Sequence, residues 1–176
     1  MSKLSDLVKR YLRDKSSGLE DELAYFRGLP FPLAVEYAAN ARGPDGKVLS
    51  HQRKPGKKVL ARAAKKLLAC LPQIKACKSF EKLLDLIYRE TADVFGFGKL
   101  CRYDTALRIG ANLKLSPTLV YLHAGTLKGA RMLGFETKQG VLTNEQISQH
   151  RPELLRLNGA DYIESFLCWL THHWKS

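Results

Sequence analysis

Phe95-Gly96-Phe97-Gly98-Lys99-Leu100 is the stretch on which the fold turns. Upstream, Phe80, Leu83, Leu84, Ile87, Thr91 and Val94 recur at three- and four-residue spacing, so this segment reads as an amphipathic helix. Downstream, Leu100, Leu107 and Ala111 fall on one face of a second helix. The two glycines sit where the chain must reverse. Glycine tolerates positive φ and, lacking a side chain, lets the N–H groups that open the second helix come close to a phosphate. Ser79 is the natural cap of the first helix.

The Gly96-Phe97-Gly98 core resembles the glycine-hydrophobic-glycine hairpin of helix-hairpin-helix DNA-binding domains, including the DNA glycosylase superfamily, over roughly residues 79–113. That resemblance implies that Gly96, Phe97, Gly98 and Lys99 grip a nucleic-acid backbone. Family hairpins place proline before the first glycine and alanine four residues after the second; Phe95 and Arg102 stand there in this chain. The catalytic lysine of the bifunctional glycosylases would fall at Leu100, with Lys99 one residue early, and no carboxylate follows Asp104 until Glu136, so the glycosylase active site does not carry over. His51-Gln52-Arg53-Lys54, the Tyr103–Gly110 segment and the Val120–Thr126 segment together resemble a set found in small bacterial proteins of uncharacterised activity.

Charge points the same way. The net charge is +12, and residues 46–80 contain no Asp or Glu but ten Lys and Arg, among them Arg53, Lys54, Lys57, Lys58 and Arg62. A single-sign block repels itself and is suited to a polyanionic partner. The first 45 residues carry seven acids and are near-neutral, so 1–45 reads as a helical scaffold and 46–176 as the basic core with the C-terminal helices. His51, with Gln52 and Arg53, offers donors and acceptors for a phosphate or a base edge. No aromatic is interleaved among these cations, which favours duplex over single-stranded partners.

Periodicity and turn signals place further helices over 3–14, from Leu19 to Gly28, from Pro32 to the Arg42–Gly46 turn, and over about 57–71 with Pro72 as its stop. Gly110 inside the second hairpin helix marks close packing. Leu119–Leu122 is a short apolar run that reads as extended, with Thr126 expected to cap a helix through Leu133. Thr143 and Gln146 form a capping box. A last helix carries Ile163, Phe166, Leu167, Trp169 and Leu170, a face that must close the core or dock a protein partner, and His172-His173 reads as its frayed end. The expectation is an all-α single domain of about eight or nine helices, because strand propensity is confined to Val120–Leu122.

Four cysteines, Cys70, Cys77, Cys101 and Cys168, lack metal-ligand spacing and read as reduced packed thiols, so no metal and no cofactor are expected. No apolar run approaches the ~20 residues of a membrane span and no signal-peptide pattern opens the chain, which implies a cytoplasmic protein. Three functions remain open at this level. The first is binding of nucleic acid, DNA ahead of RNA, through backbone phosphates with little sequence choice. The second is an enzyme of nucleotides or nucleic acid with N-glycosylase-like chemistry, using Asp104 as carboxylate, His123 as acid/base and Arg108 as anion clamp. In that reading Asp104 and His123 approach one another around a polar concavity beside the hairpin. The third is a helical docking subunit of a larger complex.

Overall fold

The computed structural model describes residues 2–14, 16–49 and 55–174. Among these, helices dominate: α1 (Lys3–Asp14), α2 (Ser16–Gly28), α3 (Phe31–Ala39), α4 (Lys57–Leu68), α5 (Leu71–Ala76), α6 (Phe80–Glu90), α7 (Lys99–Leu113), α8 (Ala124–Met132), α9 (Asn144–His150), a 3₁₀ segment Pro152–Leu157 and α10 (Ala160–His173). The fold is all-α. Among the described residues the sheet is a two-stranded antiparallel pair, β1 (Val120–Tyr121) with β2 (Val141–Leu142), in which Val120 faces Leu142 and Tyr121 faces Val141. None of these helices is long and apolar enough to cross a membrane.

The chain forms two compact units, residues 21–116 and a discontinuous one of 1–20 with 117–176. These lines differ from a division at residue 45.

In the 21–116 unit, α3 packs on α4 and α7, and α6 packs on α7. Ala34, Val35 and Ala38 of α3, Leu60, Ala63 and Leu67 of α4, Leu83 and Ile87 of α6, and Ala106 and Ile109 of α7 are all closed from solvent. The small residues of α3 let the helices approach closely, while Phe80 and Tyr103 meet edge to face across α6 and α7 at 5.8 Å. Ser79 caps α6 as expected, accepting from the Lys82 N–H at 3.2 Å. Pro72, expected to stop α4, lies instead in the first turn of α5, because proline fits an opening turn where its missing N–H has no helical partner. The face of α7 that carries Leu100, Leu107 and Ala111 is not its inward one. Leu100 is exposed and Leu107 and Ala111 half-buried, whereas Cys101, Thr105, Ala106 and Ile109 face the core. Gly110 does mark a close approach: a Cβ there would stand 2.6 Å from the Leu115 carbonyl oxygen.

In the other unit, Leu4, Val8 and Tyr11 of α1 join Leu133, Leu142, Ile147, Leu154 and the α10 residues Ile163, Phe166, Leu167 and Leu170 in one core. The apolar face of α10 therefore closes its own unit. Gly125 and Gly129 on α8 bring that helix against α10 at Cys168 and Leu167. Thr126 does not cap α8: the helix opens at Ala124 with His123 at the cap position, and the buried Thr126 hydroxyl donates to Glu164 at 2.5 Å. Thr143 and Gln146 form the expected capping box. His173 is not frayed, since its ring stacks on Trp169 at 4.0 Å and bonds the Trp169 carbonyl.

Candidate nucleic-acid interface

The reversal between α6 and α7 is built from local hydrogen bonds. The Val94 N–H donates to the Thr91 carbonyl and the Phe97 N–H to the Val94 carbonyl, both at 3.0–3.1 Å. The second of these closes a turn over Phe95 and Gly96, and Gly96 occupies its third place at φ +87°, where a type II turn requires a residue free of Cβ strain. Phe97 then enters the core at 1% exposure. Gly98 caps α7 in extended backbone with no side-chain cap, and the Arg102 N–H donates to its carbonyl as the first helical bond. A Cβ on Gly98 would meet nothing within 4 Å. Lys99 and Leu100 stand exposed just beyond it.

Two anchors hold this turn. Arg102, at the position where family hairpins carry alanine, donates to the Thr91 hydroxyl at 3.0 Å and to the Thr91 carbonyl at 2.9 Å, while its guanidinium lies 5.1 Å from the Tyr88 ring. The Thr91 hydroxyl in turn donates to the Ile87 carbonyl at 2.6 Å, so Arg102 fastens the end of α6 to α7. On the other side, Asp93 accepts from Lys66 at 2.8 Å and Arg62 at 3.0 Å, both on α4. The Lys66 hydrogen bond holds the Asp93 carboxyl below its usual range, aided by a backbone N–H and by the charges of Lys66 and Arg62. The nearest side chain to a Cβ placed on Gly96 is Val59 of α4, at 3.5 Å.

The hairpin tip and the first turn of α4 are thus neighbours. Helix α4 opens at Gly56 without a side-chain cap, and Lys57 and Lys58 of its first turn are exposed. Helices α4 and α7 each open without a side-chain cap, with the positive partial charge and backbone donors of an N-terminus, and Lys57, Lys58 and Lys99 are exposed in their first turns. Beside α4 a cleft of about 640 Å³ carries Arg42, Lys47 and Lys57 over an apolar floor of Val48 and Leu60.

The expected site residues distribute unevenly over this surface. Gly96, Phe97, Gly98 and Lys99 lie on the turn itself, and Lys57 and Lys58 are exposed in the first turn of α4, whose Val59 meets Gly96. Arg62 is next to them but half-engaged by Asp93. His51, Arg53 and Lys54 lie outside the described residues. Arg108 is 2% exposed and its Nε donates to Glu22 at 2.7 Å, which encloses the proposed anion clamp inside the unit. Asp104 is half-buried on α7, and His123 belongs to the other compact unit, so neither unit by itself assembles Asp104, Arg108 and His123. Sequence reasoning missed Phe95, which stands 90% exposed at the tip.

Cys70 and Cys101 are buried, Cys77 is half-buried and Cys168 is exposed. Burial raises the thiol pKa of Cys70, Cys77 and Cys101, which disfavours their thiolates.

Comparison of the chain with protein-family models, curated proteins and solved structures finds no match.

Proposed function

We propose that the protein binds nucleic acid, duplex DNA ahead of RNA, by its backbone phosphates and with little sequence choice. The observation that carries this reading is the contact of the α6–α7 glycine turn with Val59 in the first turn of α4, which joins two helix starts that lack side-chain caps and carry the exposed Lys57, Lys58 and Lys99. A phosphate there meets N–H groups, helix dipoles and ammonium groups at once. The open space at Gly98 gives a phosphate oxygen room to reach the backbone. The acid nearest the tip in sequence, Asp93, is neutralised by two cations.

The test separates folding from binding. Gly98 has φ −73° and no neighbour where its Cβ would go, so Gly98→Val leaves the turn intact while placing a side chain where the phosphate would approach. Its affinity for a duplex of about 20 base pairs should fall about tenfold or more, with no more than about 1 kcal/mol of stability lost at the helix cap. Lys57→Glu with Lys58→Glu should weaken binding and flatten the dependence of log affinity on log salt by about two ions. Salt-independent binding, or unaltered binding by both variants, refutes the proposal.

A further inference from the structure

Among the described residues only four large apolar side chains are exposed, Leu12, Phe95, Leu100 and Leu155, and two of the four belong to this one hairpin. Phe95 is the extreme case at 90%, two residues from Phe97 at 1%. Nothing in the backbone demands an aromatic there. Position 95 is the second residue of a turn whose stereochemical requirement falls on Gly96, and almost any side chain suits it. The ring is also not a core residue displaced by crowding, since Phe97 already fills the inward place. The only acid between Thr91 and Arg102 is Asp93, and both oxygens of that carboxylate are occupied by α4 cations. Phe95 is therefore a flat apolar surface exposed on a turn that leads into the uncapped start of α7 and the exposed Lys99, where backbone N–H donors are suited to the phosphates beside a base.

We infer that Phe95 is a stacking residue for an unpaired or unstacked base, so that the preferred ligand is a duplex interrupted by a gap or ending in a single strand. The inference rests on the phosphate-binding reading above and refines its ligand. An intact duplex offers a ring at the hairpin tip no exposed base face, whereas a gap or junction does, and stacking is tolerant of base identity. A membrane surface would be the other destination for an aromatic among lysines. A single ring with one half-exposed leucine is a small apolar area for that purpose, and no amphipathic face extends it, since the inward face of α7 is already packed in the core.

The test uses the full chain and three fluorescent DNAs of equal length: an intact duplex, the same duplex with a one-nucleotide gap, and a single strand–duplex junction. The wild type should prefer the gapped and junction forms by about tenfold, and 2-aminopurine placed at the gap should change emission on binding. Phe95→Ala should abolish both the preference and the emission change while leaving intact-duplex affinity within about twofold, and Phe95→Trp should retain both. A preference that survives Phe95→Ala overturns the inference and leaves the phosphate grip standing. Absence of salt-dependent binding to all three DNAs defeats the phosphate grip, and the inference with it. Loss on Phe95→Ala of binding to phosphatidylserine vesicles, with DNA binding unmoved, also overturns it and assigns the ring to a bilayer surface.

Discussion

Arg108 on α7 donates from Nε to Glu22 on α2 at 2.7 Å, across 86 positions of sequence, with the arginine side chain 2% and the glutamate 23% exposed. The guanidinium also lies 5.9 Å from the Phe26 ring. A charge so enclosed must be paired, because desolvation without a partner costs several kcal/mol. Glu22→Gln should therefore destabilise the protein by about 3 kcal/mol in urea unfolding, while Glu22→Leu with Arg108→Met should recover most of that loss. A single variant that unfolds at the wild-type midpoint would show the pair to be incidental.

Gly129 and Gly125 set how near α8 lies to α10. A Cβ on Gly129 would overlap the Leu167 carbonyl oxygen and stand 2.8 Å from its carbon, and that backbone has nowhere to move. A Cβ on Gly125 would meet the Cys168 Sγ at 2.7 Å, a side-chain end on an exposed residue. Gly129→Ala should cost about 3 kcal/mol or more, and Gly125→Ala less, with Cys168→Ala relieving it. Gly18, in α2 with open space around its Cβ position, gives the opposite sign: Gly18→Ala should add up to about 1 kcal/mol. Thermal melts of the four variants check the order.

Gly96 and Gly98 should part company in stability. Gly96→Ala places a Cβ at φ +87° and should cost about 1–2 kcal/mol. Gly98→Ala, at φ −73° in open space, should leave the melting temperature nearly unchanged. If Gly96→Ala is neutral, the turn does not require the left-handed conformation.

Asp93 couples stability to pH and, on the proposed function, restrains binding. Its folded pKa lies below the usual 3.8, so its contribution is fully present above pH 3.8 and is lost as pH falls through the lower folded value. Asp93→Asn should be less stable than the wild type at pH 6, and the two should converge as pH falls below about 3.8. The same variant releases Arg62 and Lys66, so at neutral pH it should bind duplex more tightly and with a steeper salt dependence. Weaker binding by Asp93→Asn would mean that holding α4 to the hairpin matters more than the freed charge.

What could be read from residues alone lies within about four positions of its cause: the Ser79 cap, the Thr143–Gln146 box, the glycine reversal at 96–98, the close packing at Gly110 and the all-α class. These rest on hydrogen bonds and sterics between near neighbours, which any chain with those residues meets again. Tertiary structure decided the rest. Thr126 finds Glu164, 38 positions away, where a cap was expected; Glu22 encloses Arg108; β1 pairs with a strand 20 residues on; and residues 1–20 join 117–176 in one unit. The phase of α7 belongs here too. Leu100, Leu107 and Ala111 suit a core as well as Cys101, Thr105, Ala106 and Ile109 do in periodicity, and the choice falls to which face α3 and α6 can fill with small and aromatic side chains. Phe95 and Phe97 make the same point at the smallest scale. Sequence places them two apart around a glycine, but only the packing of Phe97 against the core decides which of the two rings is left exposed.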